Sequence, residues 1–322
     1  MPSTISIIIP TYNRRHLIGT TIDNLLQQTH PAHEIIVVDD HSTDGTVEWL
    51  NTTYGNKLMV LTNKGKGPGA ARNTGFRAST GNYIKFFDSD DVMTHNTLEE
   101  QLHALQASQK QFITGPYTYG QQINDQWQPT NKLLINYHGF PKSKALYHWM
   151  IWGLFIPIPG MLFKRSFLEE VGPWPEECIT SEDWAYLWRM ALREPYPAHT
   201  NKCYFIYRVH EAQSTGSNFD NQKRDKEKFQ ILNEIYQQDI KPGNFSLWEK
   251  ALFRNKFYQI ARVTKDPALR KELLHAAGPG QSLIWQYYRT KMKIGRVKTK
   301  SDWQPMHGGE EISSIKLILA SQ

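Results

Sequence analysis

Two rhythms of apolar and polar positions alternate along the first hundred residues. "ISIIIP" (5–10) is a continuous β-branched run closed by Pro10 and predicts a strand buried on both faces. "RRHLIGTTIDNLLQQ" follows, with Leu17, Ile18, Ile22, Leu25 and Leu26 at helical spacing. "EIIVVDD" (34–40) is a second buried strand, and "STDGTVEWL" opens a helix for which Ser42 or Thr43 would be the cap. "KLMVLTN" (57–63) and "NYIKFF" (82–87) give a third and a fourth strand, with the glycine-entered helix "GPGAARNTGFRAS" between them. Strands alternating with helices predict an α/β fold, a mostly parallel sheet flanked by helices and joined by right-handed crossovers.

Residues 111–163 are less regular. "QFITGPYTYG" and "IPGMLFK" predict strands, and "KSKALYHWMIWGL" a helix between them. "SEDWAYLWRMALRE" is an amphipathic helix, and "AHTNKCYFIYRVH" a strand running into the polar "EAQSTGS". From Asn221 the pattern is helical, broken at "KPGN" and "AAGPGQ". The expected organisation is a catalytic region over 1–220, with a donor-binding half (1–110) and an acceptor-binding half (111–220), then a helical C-terminal extension over 221–322.

In open parallel sheets, ligands bind beyond the carboxyl ends of the strands. Those ends carry Pro10-Thr11-Tyr12-Asn13, Asp39-Asp40, Asn63-Lys64-Gly65 and Asp88-Ser89-Asp90-Asp91, so polar groups converge on one rim. Three carboxylates within four positions repel one another and need a cation, a proton or a basic partner. A hard divalent ion suits them, because Mg²⁺ takes one or two carboxylates and completes its shell with water and phosphate oxygens. Asp39 is placed to read a base or ribose, and the segment 65–69 with Arg72 and Asn73 joins it on the rim. The glycines at 65, 67 and 69 fit neither GxxxxGK[ST] nor GxGxxG, so the rim predicts a nucleoside diphosphate held through a metal rather than by a phosphate loop. Taken alone, the acids also fit a solvated turn that caps the next helix.

Composition adds a charge asymmetry. The net charge is +6, but residues 221–300 hold 18 Lys/Arg against 7 Asp/Glu. A solvated helical face is one reading of that excess. Docking on an anionic surface such as lipid headgroups is the other, with Lys291, Lys293, Arg296, Lys298 and Lys300 at its densest point. No run reaches the length of a membrane span, and no leader pattern opens the chain. Cys178 and Cys203 lack metal spacing and are expected to be reduced. The resulting expectation is a cytoplasmic protein without a nucleic-acid partner, with peripheral attachment at the inner face of the membrane if the basic segment docks.

"IIIPTYNR", "EIIVVDDHSTDGT", "NKGKGPGAARNTGF" and "GNYIKFFDSDD", with "PIPGMLFKRSFLEEVGPWPEECITSEDWAYLWRMAL" downstream, resemble in order and spacing the family 2 glycosyltransferases of the GT-A fold. The resemblance spans about residues 4–212. It implies a Rossmann-like sheet and transfer of a sugar, with inversion, from a nucleotide sugar to an acceptor hydroxyl in cell-surface polysaccharide or glycoconjugate synthesis. It implies Mn²⁺ or Mg²⁺ as cofactor, a UDP-linked donor with dTDP and GDP sugars open, and a saccharide or lipid-linked acceptor.

Residue by residue, Thr11 and Asp39 match positions at the nucleoside, and Arg72 one near the nucleotide. Pro10, Tyr12, Asn13, Asn63 and Ser89 complete the donor rim. Asp88 and Asp90 match the ends of the DxD motif; the resemblance implies Asp90 as the principal metal ligand, with Asp91 beside it. Asp183 matches the catalytic base, next to Glu182. At the first turn of a helix capped by Ser181, the macrodipole favours its ionised form. His210 matches a member of the metal or diphosphate shell, and Arg208 a phosphate contact. Of Trp149, Trp152, Trp174, Trp184 and Trp188, at most one or two are expected to face an acceptor, Trp174 in its Gly-Pro-Trp-Pro loop first, because helical tryptophans are more often core. A sugar-nucleotide nucleotidyltransferase and a non-catalytic nucleotide-sugar-binding module are the alternatives. The former would need a glycine-rich phosphate loop where "PTYNRRH" stands.

Overall fold

In the computed structural model the described residues fall into two compact units: 3–123, 126–134 and 156–210 form the first, and 145–151, 155 and 221–287 the second. In chain order the first unit runs β1 (Ile5–Thr11), α1 (Ile18–Leu26), β2 (Glu34–Asp39), α2 (Thr46–Tyr54), β3 (Met59–Thr62), α3 (Gly67–Ala78), β4 (Tyr83–Phe86), β5 (Val92–Met93), α4 (Thr97–Ser108), β6 (Phe112–Thr114), β7 (Tyr117–Ile123) and β8 (Gln126–Leu134). After α5 (Leu146–Ile151), which belongs to the second unit, come β9 (Met161–Lys164), α6 (Arg165–Val171), α7 (Glu182–Arg193), β10 (Ala198–His199) and β11 (Phe205–Val209).

The main sheet has the order β10-β6-β9-β4-β1-β2-β3, and a smaller sheet the order β5-β11-β7-β8. β4, β1, β2 and β3 are mutually parallel, and β9 enters antiparallel to both β4 and β6. The mostly parallel α/β sheet expected from the alternating pattern is thus present. Ile5, Ile7 and Ile9 of β1 join Ile18, Ile22 and Leu25 of α1 and Leu98, Leu102 and Leu105 of α4 in one core. The opposite face meets α3. A Cβ at Gly75 would overlap Ile8 and come 3.2 Å from Val38, so only glycine lets α3 approach the sheet this closely. That approach brings Arg72 and Asn73 down to the strand ends.

Three local expectations are corrected. α2 begins at Thr46 with Gly45 at the cap position, leaving Ser42 and Thr43 in the loop before it. Ser181 precedes α7, but its hydroxyl makes no capping hydrogen bond. "QFITGPYTYG" is divided between two sheets, as β6 and β7.

The second unit holds α5, α8 (Asn221–Ile235), a π-helical turn (Tyr236–Ile240), α9 (Leu247–Val263) and α10 (Pro267–Ala277). Leu232, Ile235, Leu252, Phe253, Phe257, Leu269 and Leu273 are buried in it. A capping box between Ser246 and Glu249 starts α9, and Asp266 caps α10 by accepting from the backbone N–H groups of Ala268 and Leu269. Among the described residues no helix is long and apolar enough to cross a membrane. Trp152, "EAQSTGS" and the basic cluster from Lys291 to Lys300 lie outside the described residues. Cys178 and Cys203 are buried thiols with no disulfide between them.

Candidate active site

Thr11 ends β1 opposite Asp39 of β2, and both are 3% exposed. Thr11 Oγ1 and Asp39 Oδ1 are buried without a hydrogen-bond partner, which is costly for polar atoms unless a ligand completes them. The other Asp39 oxygen accepts from Ser42 N at 2.9 Å. Asn13, in the left-handed region at φ 51°, donates from its backbone to Ser42 Oγ at 2.8 Å and accepts from Thr43 N at 2.8 Å. The loops after β1 and β2 are therefore stitched together. Tyr12 stands out at 54% exposure, and Pro10 lies within β1. Asn63 continues the rim by donating from Nδ2 to Asp40 Oδ1 at 2.6 Å, while Asp40 Oδ2 accepts from Gly67 N at 2.9 Å. The glycine segment before α3 is folded onto these two side chains.

The carboxylates after β4 each meet positive charge. Arg72 Nη2 donates to Asp88 at 3.0 Å, Arg14 Nε lies 3.5 Å from Asp90, and His210 Nε2 is 3.1 Å from the same Asp90 oxygen. Burial opposes ionisation of Asp90, but the His210 hydrogen bond and the charges of Arg14, His210 and Arg208 outweigh it and hold this carboxyl below the usual range. Asp91 differs. It is 1% exposed, accepts from Arg208 N at 3.1 Å, and is pushed well above the ordinary range by burial and by Asp90 and Asp88. Its carboxyl points to β11 rather than to the open rim. Ser89 is buried, and its carbonyl accepts from Thr21 Oγ1 at 3.0 Å.

Arg208 is 1% exposed and its guanidinium is committed to the interior: it donates to the carbonyls of Asp90 and Leu17 and to Thr21 Oγ1. Burial lowers it to about 10, with Asp91 and Asp90 opposing, so it remains a cation at neutral pH. Instead of reaching a phosphate, it pins the DxD backbone to α1.

On the acceptor side, Glu182 and Asp183 form the first turn of α7. Arg72 Nη1 donates to Glu182 Oε1 at 3.1 Å, so one guanidinium spans Asp88 and Glu182. Burial and then Asp183 raise Glu182 to about 7, against the pull of Arg72. Asp183 is half-buried, with Oδ1 accepting from Trp184 N at 2.6 Å. The Arg72 guanidinium lies 4.5 Å from the centre of the Trp174 ring, which stacks on Tyr186 at 4.1 Å. Trp174 is 2% exposed, and Asn73 holds its backbone in both directions, donating to its carbonyl at 2.9 Å and accepting from its N–H at 2.8 Å. The ring therefore seats Arg72 and offers no face to an acceptor. Trp188 is likewise fully buried.

The structure thus gathers Asp88, Asp90, His210, Arg72, Glu182 and Asp183, with Thr11 and Asp39 along the rim. Arg14 and Tyr186 are additions, while Asn73, expected at the rim beside Arg72, is used to hold the Trp174 backbone. The basic pair "RR" shortly after the first strand was a readable signal for Arg14; for Tyr186 the sequence carried none. Asp88 and Asp90 keep 31% and 20% side-chain exposure, so hard oxygen donors do face outward. His210 Nδ1 is buried and has no partner. Among the described residues no group of three or more His, Cys, Asp and Glu converges on a point. This partial shell fits an ion that takes its remaining ligands from water and phosphate.

Residues 6–172 match the family model described as glycosyl transferase family 2. The chain is 30% identical over 224 residues to the UDP-Glc:alpha-D-GlcNAc-diphosphoundecaprenol beta-1,3-glucosyltransferase WfgD of Escherichia coli, covering 68% of this chain and 83% of that protein. It is 38% identical over 180 residues to an uncharacterized glycosyltransferase of Rickettsia bellii, where the match takes in 56% of this chain and 25% of the longer relative. The fold is similar to that of S. aureus TarS 1–349 in complex with UDP-GlcNAc, with TM-score 0.52, 20% identity and coverage of 80% of this chain and 81% of that one. A family match over more than half of the sequence, on a sheet whose strand ends carry these acidic groups, shows that the chain belongs to glycosyltransferase family 2 and is an enzyme of that class.

Proposed function

We propose that the enzyme moves a sugar, with inversion, from a UDP-linked donor to a hydroxyl of a saccharide or lipid-linked saccharide in cell-surface glycan synthesis. The observation that carries this reading is the Arg72 bridge, which sets the carboxylate after β4 beside the Glu182–Asp183 turn of α7. The UDP assignment is supported by the UDP-sugars named for WfgD and for the TarS complex, and the lipid-linked acceptor by the diphosphoundecaprenol in the WfgD name.

Thr11 and Asp39 receive the nucleoside through the polar atoms they leave unmatched. Asp183 accepts the proton of the acceptor hydroxyl as that oxygen bonds to the anomeric carbon. The bond from that carbon to the diphosphate breaks at the opposite face, releasing the nucleoside diphosphate and inverting the centre. A Mn²⁺ or Mg²⁺ ion held by Asp90, with Asp88 and His210, would offset the charge growing on the leaving diphosphate. Arg72 keeps Asp88 and Glu182 in register, and Glu182, with a proton near neutrality, limits the negative charge beside Asp183.

The test is release of UDP from UDP-sugars by the purified chain, with and without Mn²⁺ or Mg²⁺, and NMR of the product's anomeric configuration. Metal-dependent UDP release with an inverted product is expected. Pyrophosphate release from a nucleoside triphosphate and a sugar phosphate would instead identify a nucleotidyltransferase, and binding without turnover a binding module.

A further inference from the structure

We infer that the helical unit docks on an anionic lipid surface through an apolar patch at the start of α9. Leu247 and Trp248 occupy the first turn of that helix at 89% and 49% exposure. Leu283 and Tyr287, at 69% and 47%, sit four residues apart on the helical segment 281–287 and so share one face. The rings of Trp248 and Tyr287 meet at 6.2 Å, which joins the two pairs into one patch.

The patch is rigidly presented. Ser246 and Glu249 lock the entry to α9 through their capping box. Buried Asn255 ties the second segment to α9 by donating to both the backbone and the side-chain oxygen of Gln281 at 2.9 Å. Two exposed apolar residues in a well-capped first turn are not what a solvated helix needs. Trp and Tyr favour the headgroup level of a bilayer, where an apolar body and a polar tip are both satisfied.

The sequence directly after Tyr287 favours an anionic bilayer over other occupants. Residues 288–300 contain Arg289, Lys291, Lys293, Arg296, Lys298 and Lys300 and no Asp or Glu. Each cation near an anionic membrane strengthens binding by about fivefold. One weak apolar anchor joined to a polybasic run is the combination that gives lasting yet reversible attachment. A second copy of the chain fits less well: four side chains fall far short of the roughly 800 Å² per partner of a stable interface.

The experiment is co-sedimentation of the full chain with vesicles of phosphatidylcholine alone or mixed with an equal amount of phosphatidylglycerol. Binding is expected only with phosphatidylglycerol, and should fall at least about tenfold as salt rises from about 0.1 to 1 M. The triple variant Leu247→Ser, Trp248→Ser, Leu283→Ser should lose binding about tenfold or more with unchanged circular dichroism. Replacing Lys291, Lys293, Arg296, Lys298 and Lys300 by Gln should abolish the preference for phosphatidylglycerol. Brominated phosphatidylglycerol should quench part of the wild-type tryptophan emission, a readout that needs no variant. Equal partitioning into both vesicles, no quenching, or a triple variant that binds like wild type overturns the inference. A triple variant that instead changes only from dimer to monomer on gel filtration also overturns it and reassigns the patch to self-association.

Discussion

Arg72 donates to Glu182 at 3.1 Å across 110 residues of sequence, and its other terminal nitrogen donates to Asp88 at 3.0 Å. Arg72 is 5% exposed, and its guanidinium has the Trp174 ring against one face. Only a planar fork can serve two carboxylates from one side chain while stacking on an indole. The contact is therefore both an electrostatic balance for the site and a brace between α3 and the start of α7.

Substituting Arg72→Lys keeps the charge and loses the fork. We expect kcat to fall by about 10²-fold, since small misplacements near the chemistry cost that much. Arg72→Met leaves two carboxylates without their cation and should destabilise the fold by about 3–5 kcal/mol. Urea unfolding and initial rates on the same preparations check both. A fully active Arg72→Lys enzyme would remove the bracing role.

Asp183→Asn retains shape and removes basicity. Transfer should drop by about 10²–10⁴-fold with donor affinity preserved. Glu182→Gln should cost far less, because the amide oxygen can still accept from Arg72. Glu182 is raised to about 7, so a wild-type inflection near that pH should vanish in Glu182→Gln. Rate–pH profiles of the three proteins separate the roles, and equal losses in both variants would reject the division between base and positioning residue.

Much of the frame was legible because parallel strands covered on both faces read as nearly continuous apolar runs, as β1 and β2 do and as β4 does apart from Lys85. The acidic cluster was legible because it directly follows such a run. Arg72, Arg208 and His210 were expected at the site as nucleotide, phosphate or metal contacts; that they pair with the acidic segment itself was not legible, because they reach it across 16, 118 and 120 residues of sequence. Trp174 misled for a local reason. A Gly-Pro-Trp-Pro stretch reads as exposed loop, and nothing in it announces that Asn73 clamps its backbone while Tyr186 stacks beneath the ring. The helix predicted around Leu146 was readable as a helix, but its membership of the second unit depends on packing that periodicity does not encode.

Removing the metal gives a third expectation. Asp90 is the carboxylate held ionised, so Asp90→Ala should abolish divalent-dependent UDP binding and leave the fold intact. With Mn²⁺ and UDP at about 100 times the dissociation constant, wild type should gain about 2.7 kcal/mol of stability, and EDTA should remove that gain. Thermal-shift measurements decide it. A UDP-induced shift that survives both EDTA and Asp90→Ala would exclude a metal-bridged donor.

Lys85 carries the last prediction. It points into the interior of the first unit with no exposed surface, and its ammonium donates to Gln101 Oε1 at 3.0 Å, to the Pro159 carbonyl at 2.9 Å and to the Met161 carbonyl at 3.2 Å. Three donors meet three acceptors, which fastens β4 to the turn before β9. Burial nevertheless pushes Lys85 from 10.5 down to about 7, with only a small opposing pull from Cys203. The sign follows from proton counts. Between about pH 7 and 10.5 the unfolded chain keeps this proton and the folded chain releases it, so the unfolded state binds more protons and stability rises with pH. The contribution can reach about 1.4 kcal/mol per pH unit inside that window and disappears outside it. Lys85→Met deletes the titrating group while keeping most of the volume. Urea midpoints followed upward from about pH 7 should climb more steeply in wild type than in the variant. Parallel slopes would mean that the three carbonyl acceptors hold the ammonium charged throughout, and that Lys85 acts only as a clamp.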